Sequence, residues 1–221
     1  MIPFVSAAEL KDEFEVTGHF YRVRVRGLGA LACRSVLEIA RRDGPRGKAE
    51  AVFVMMNPGS SAPLAGAEPE IGMGAIGALP VAQVPAKPDT TQYQLMRVMR
   101  HTGWNRVRVL NISDLREPSS AVFVERFGAL EPRYPAHSVF APARAAELAA
   151  KLERKRGAPV VCAWGVSPAL DPLIARCLAA LDGHSLVGLR KPDTADKYFH
   201  PLPPVQSGQR QWVTEMCALL T

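Results

Sequence analysis

Four short groups of residues hold the side chains best suited to chemistry: Asn57-Pro58-Gly59-Ser60, Asn111 with Asp114 and Arg116, Trp164-Gly165, and His200-Pro201-Leu202. They offer carboxamides, a carboxylate, a guanidinium, an indole and an imidazole, all able to hydrogen-bond a polar ligand. Each group also has an ordinary structural reading. Asn-Pro-Gly makes turns, Asn111 can cap the next segment, Trp164 suits a core, and a lone histidine is commonly a satisfied structural residue. Their shared position sets them apart. Each follows the end of an apolar run or returns towards one, so all four are expected on one rim of a sheet. In open α/β sheets that rim, beyond the carboxyl ends of the strands, is where ligands bind.

Other chemistries find little footing. Cys33, Cys162, Cys177 and Cys217 form no Cys-x-x-Cys pair and have no histidine at ligand spacing, so no metal is expected. Cys162 and Cys177 fall on apparent core positions, and free thiols fit a reducing cytoplasm. Gly66, Gly72, Gly74 and Gly77 lack the Gly-Lys-Ser/Thr of a phosphate loop and the spacing of a dinucleotide fingerprint. No cofactor is expected.

The elements that must position these groups are legible in part. Ala51-Val-Phe-Val-Met-Met56 runs apolar without alternation into Asn57, as a strand buried on both faces does. Pro58 fixes φ and Gly59 opens conformations closed to other residues, so the strand stops there. Upstream, Tyr21-Arg-Val-Arg-Val-Arg26 alternates with period two, a half-exposed strand; its arginines fit a solvated face better than a nucleic-acid groove. Gly27-Leu-Gly29 turns, and Cys33–Arg41 pairs back as a hairpin partner or forms a short helix. Residues 14–42 are thus expected as an N-terminal hairpin extension at a sheet edge. Residues 60–88, rich in Ala, Gly and Pro, are expected as a lid-like loop.

Asp89-Thr-Thr-Gln92 reads as a capping box for a helix with Tyr93, Met96 and Met99 on one face, ending at Gly103. Val107–Ser113 is a second strand, and a short helix fits near Val122–Phe127. A helix runs from Ala143 towards Gly157, closed by Lys151, Arg154, Lys155 and Arg156. Pro159–Gly165 is a third strand, followed by a helix reaching Leu181. Ser185–Leu189 is a fourth strand, and Gln209–Leu220 a closing helix. Strands alternating with helices imply a single α/β domain, residues 1–221, as a three-layer α/β/α sandwich with a mostly parallel sheet.

Composition agrees with one ordinary soluble domain: 221 residues, 48% hydrophobic and 22% charged. No apolar run reaches the roughly 20 residues of a membrane span, and the amino terminus has no secretory pattern. The net charge of +6 favours polyanionic partners.

Val52-Phe-Val-Met-Met-Asn-Pro-Gly-Ser-Ser-Ala62 resembles the first motif of mismatch-specific uracil/thymine DNA glycosylases, a strand ending Gly-Ile-Asn-Pro-Gly before small residues. His200-Pro201-Leu202 lies where those enzymes carry their second motif. Closer still is an uncharacterised bacterial and phage family near that fold. It shows Met-Leu-Asn-Pro-Ser, Asp-x-Thr before a helix, an Asn-Leu strand end, a Trp-Gly strand end and a late His-Pro-Leu. Here these read Met56-Asn57-Pro58-Gly59, Asp89-Thr90, Asn111-Ile112, Trp164-Gly165 and His200-Pro201-Leu202. The match covers about residues 50–205. The chain departs from the glycosylases at Met55-Met56, in Leu202-Pro203-Pro204, and in the insertion after Ser61.

The resemblance implies a metal-independent glycosylase-like enzyme acting on a damaged or mismatched base in DNA. Asn57 would orient a water, His200 would support charge on the departing base, and Leu202 would wedge the duplex. Tyr93, Phe199 or Trp164 would stack on the base. Pro58, Gly59, Ser60, Tyr93, Asn111, Asp114, Arg116, Trp164, Gly165 and Leu202 would make the binding surface. Two other readings stand beside it: a non-catalytic nucleotide or single-stranded-DNA binding module on the same fold, and a hydrolase or transferase of small nucleotides. The expected partner is DNA or a nucleotide, with no membrane, and the expected state a cytoplasmic monomer.

Overall fold

The computed structural model describes residues 4–66, 68–78 and 82–221. Helix α1 (Ala7–Glu13) starts at Ser6, whose hydroxyl accepts the Glu9 N–H while the Glu9 carboxylate accepts the Ser6 N–H. Strands β1 (Phe14–Val25) and β2 (Gly29–Arg41) form a long antiparallel hairpin that turns through Gly27 and Gly29, both at positive φ. The strand alternative for Cys33–Arg41 therefore holds over the helical one. Next come β3 (Ala51–Met55), β4 (Ala62–Pro63), β5 (Glu70–Gly72), β6 (Val84–Lys87), α2 (Thr90–Thr102) and β7 (Arg106–Asn111). The chain finishes with α3 (Ser120–Leu130), α4 (Ala145–Leu152), β8 (Val160–Ala163), α5 (Asp171–Ala180), β9 (Leu186–Val187) and α6 (Gln206–Leu220).

The architecture is mixed α/β around a central sheet ordered β4-β6-β1-β2-β7-β3-β8-β9, with β5 also on β1. From β7 to β9 neighbours run parallel. The expectation of a mostly parallel sheet stops there, because β2 joins β7 antiparallel, and the hairpin makes β1 antiparallel to β2 in turn. The hairpin therefore does not end the sheet. The segment expected as a lid pairs along it, with β6 antiparallel and β5 parallel to β1, and β4 on β6. Residues 67 and 79–81 of that segment, and residues 1–3, lie outside the described residues.

Every residue of β3 is buried. Val52 and Val54 join an apolar cluster with Phe123 and Phe127 of α3, Leu148 of α4 and Ile174 of α5. Ala51, Phe53 and Met55 join another, with Leu10 of α1, Met96 of α2 and Trp212 of α6. Alternate side chains of one strand thus serve two cores, which is why no wet face interrupts the run. Each such large side chain contributes about 1.5–3 kcal/mol by leaving water.

On β1, Tyr21, Val23 and Val25 are buried while Arg24 faces outwards and pairs with Glu70 at 2.6 Å. Helix α4 ends at Leu152, so Arg154, Lys155 and Arg156 lie beyond it rather than closing it. The Arg108 guanidinium from β7 takes the carbonyls of Ala150, Lys151 and Glu153, satisfying the helix end from across the sheet. Ser119 caps α3, whose eleven residues exceed the short helix expected near Val122–Phe127.

Candidate functional site

The carboxyl ends of β3, β7 and β8 open into a cavity of about 420 Å³. Beyond β3 the chain turns at Gly59, whose φ is +62° and whose added Cβ would meet Asp89 Oδ2 at 3.2 Å. Conformation and crowding both demand glycine there. Met55 pairs with Asn111, and Ile112 N donates to Met55 O at 2.8 Å, so the two asparagine-bearing ends stay adjacent. Beyond β8, Gly165 at φ +100° donates its N–H to Tyr198 O at 2.8 Å. That bond brings the 198–204 return, with His200, to the same rim.

Asn57, Pro58, Gly59, Asn111, Trp164, Gly165, His200 and Leu202 all line this cavity. The other expected site residues do not. Ser60 is exposed past the turn. Tyr93 belongs to the core beneath α2, with the Lys11 ammonium 6.0 Å from its ring. Arg116 pairs with Glu68 and lies over the Phe20 ring. Asp114 sits in an ionic cluster, accepting from Tyr21 Oη at 2.9 Å and Arg144 Nη1 at 2.7 Å. Arg144 also grips Glu147, which binds Lys151. None of the described residues between 60 and 88 lines the cavity. Among the stacking candidates, Trp164 is at the cavity but fully buried, held by Asp196 O at 2.9 Å and packed edge-on against Tyr198. Phe199 is 42% exposed and lines a neighbouring apolar cavity of about 500 Å³ that shares His200 and Leu202.

Asn57 Nδ2 donates to Glu117 O at 2.7 Å and Leu115 O at 3.3 Å. Two carbonyls can be satisfied only by the amide nitrogen, so the amide orientation is set and Oδ1 is left as an acceptor. His200 Nδ1 accepts the Leu202 N–H at 3.2 Å, which makes the neutral ring an Nε2–H donor. Burial among protein atoms pushes its pKa down to about 4.

Arg34 and Asp89 are charged cavity residues that the sequence did not single out for the site. Arg34, 3% exposed, donates from Nη2 to Asn111 Oδ1 at 3.0 Å and from Nη1 to Pro58 O at 3.4 Å. Burial lowers its pKa to about 10, which leaves it charged at neutral pH. Asp89 caps α2, accepting the Gln92 N–H at 3.1 Å; burial raises its pKa and Arg34 opposes the rise. Arg34 had one signal, as a charge followed by Ser35 within an apolar strand. Strict alternation misplaces it, however. The hairpin register slips between His19 and Phe20, leaving Ser35 as an extra residue in β2. That bulge puts Arg34 on the face shared with Leu37, Ile39 and the cavity.

Charge is unevenly placed. Arg42, Arg46 and Lys48 are exposed just before β3, and Lys155 donates its N–H to Ala49 O there, at the opposite end of the strands from the cavity. At the cavity, Arg34 is opposed by Asp89, and Glu117 pairs with Arg126 at 2.9 Å. Among the described residues no group of three or more His, Cys, Asp or Glu is placed to hold a metal ion, and no helix is long and apolar enough to cross a membrane. All four cysteines are buried and free. Comparison of the chain with protein-family models, with curated proteins and with solved structures finds no match.

Proposed function

We propose that this protein binds a nucleobase in the cavity at the carboxyl ends of β3, β7 and β8, on a uracil-DNA glycosylase-like, three-layer α/β/α fold, and that it hydrolyses the N-glycosidic bond of a damaged or mismatched base in DNA. One observation carries the reading. Asn57 and His200, far apart in sequence, line one base-sized cavity, and their hydrogen bonds leave an acceptor on one and a donor on the other. Asn57 Oδ1 accepts a hydrogen from the attacking water and aims its oxygen at the sugar carbon. The carbon–nitrogen bond breaks, its electron pair leaves with the base, and the water's proton passes to solvent. His200 Nε2–H stabilises the charge gathering on a base carbonyl, and a neutral ring at pH 7 suits a donor that keeps its proton. Asn57 is too weak a base to take the proton itself. The proposed partner is DNA or a nucleotide, and the proposed setting a cytoplasmic monomer.

Strand-nicking of oligonucleotides bearing uracil, mismatched thymine or other damaged bases, after alkaline cleavage of abasic sites, tests the reading. Wild type should nick at least one of them, and Asn57→Ala should lower the rate by about 10²-fold or more. Inactivity of the wild type on every damaged base rejects catalysis.

A second reading draws on the distribution of charge. The exposed basic residues before β3 lie at the far end of the sheet from the cavity, where they cannot hold the backbone of a strand whose base enters it. A protein that binds or cleaves free nucleotides needs no such groove. Tight binding of mononucleotides without binding of oligonucleotides would favour it; steeply salt-dependent oligonucleotide binding without nicking would favour a DNA-binding module.

A further inference from the structure

We infer that Arg34 and Asn111 form a donor pair that selects a 6-ketopurine, read at its O6 and N7 acceptors, over adenine and over uracil or thymine. The inference rests on the nucleobase reading of the cavity. Both side chains line it, and both are more than nine-tenths buried. Each keeps a buried donor with no partner in the protein, Nε of Arg34 and Nδ2 of Asn111.

The bond between them determines what the ligand meets. A guanidinium has no acceptor and can donate only to the oxygen of a carboxamide. Arg34 Nη2 therefore fixes the flip of Asn111 and occupies its Oδ1, leaving the amide to face a ligand as a donor. An asparagine free at both atoms could read a donor–acceptor edge; this one cannot.

A buried donor without a partner is costly, and two of them on bonded, cavity-lining residues suit a ligand with two acceptors. Guanine presents O6 and N7 side by side, and hypoxanthine has the same pair. Adenine sets an amino group beside N7, and the O4 of thymine or uracil has no second acceptor on that edge. A phosphate or carboxylate would also accept. However, Asp89 offsets the charge of Arg34 and Arg126 pairs with Glu117 at 2.9 Å, so the cavity has no uncompensated positive charge and a neutral edge fits better than an anion.

Ligand-observed NMR titration of the whole chain with inosine, adenosine, uridine and inorganic phosphate tests the pair. Inosine should bind about tenfold or more tightly than adenosine or uridine, the discrimination expected where a mismatched edge strands buried polar groups. Phosphate should not displace it. Asn111→Asp keeps an oxygen for Arg34 and replaces the free donor with an acceptor, so the order of inosine and adenosine should reverse. Should that variant not fold, Arg34→Lys keeps the charge and removes Nε–H, and the advantage of inosine over uridine should fall about tenfold, as loss of one such bond implies. Equal binding of inosine and adenosine, an unreversed order in Asn111→Asp, or an undiminished inosine advantage in Arg34→Lys overturns the donor pair while leaving the nucleobase reading standing. Displacement by phosphate overturns it in favour of an anion site. Binding of no nucleoside overturns both.

Discussion

Asn111 and Asp114 are three residues apart at the end of β7, and both are buried to within 2% of complete. Their surroundings differ in kind. Asp114 has Tyr21 and Arg144 on one oxygen, and Arg144 is in turn held by Glu147, so its charge is paired beneath the α3–α5 side of the sheet, away from the cavity, although its other oxygen has no partner. Asn111 has a single partner, Arg34, and a cavity in front of it. Paired charges away from a void hold architecture; buried donors with spare capacity beside one can hold a ligand. Burial of a polar residue is therefore a poor guide to function until its partners are counted.

The comparison breaks most sharply at Arg144. Arg144→Met leaves the Asp114 carboxylate buried without its counter-charge and should cost about 3–5 kcal/mol, read as a lowered urea midpoint. Asn111→Ala strands Arg34 Nη2 beside the cavity and should cost less, about 1–3 kcal/mol, while impairing ligand binding. Similar losses for the two would remove the distinction between paired cluster and open site.

Acid unfolding should next report on both regions. His200, at the cavity, and His19, beside the cluster, both have folded pKa values of about 4, below their ordinary 6.5. Between those values the unfolded chain binds more protons, so stability is full above pH 6.5 and declines as pH falls towards 4. Glu147 is held down to about 2 by Arg144 and Lys151 against the cost of burial. Its contribution is present above pH 4.5 and is lost as pH falls through 2. Replacing His200 with Gln should flatten the upper part of a stability–pH curve and leave the lower part unchanged. A curve altered only below pH 4 would contradict that assignment.

The smallest effect is expected at Ser60, which lies outside both regions. Ser60→Ala should change stability by less than about 0.5 kcal/mol and leave ligand binding untouched. A marked loss of binding would extend the site beyond the turn.

Local patterns determined a good deal by themselves. The unbroken apolar run of β3 reports a strand with two covered faces. Asp89 and Gln92 announce the start of α2, where both bonds of the capping box form. Gly59 marks a turn that needs a left-handed residue. These signals lie within a few residues of one another, where covalent geometry and helix-end hydrogen bonding govern the outcome. Asn57, Asn111, Trp164 and His200 were legible as rim residues because strand ends in an α/β sheet share a side.

Tertiary structure decided the rest. Asp114 and Arg116 carry the same kind of polar signal as Asn111, but the chain turns away after β7 and delivers them to partners in β1, at Glu68 and at Arg144. Residues 60–88 look like a loop because their strands are too short for a period to emerge; β5 and β6 form by pairing with β1. Arg34 reaches the cavity only because one extra residue, Ser35, reverses the alternation of β2. A single-residue register slip exchanges the faces of a strand. It is fixed by pairing with β1 across the hairpin, so no local pattern in β2 determines which wall Arg34 joins.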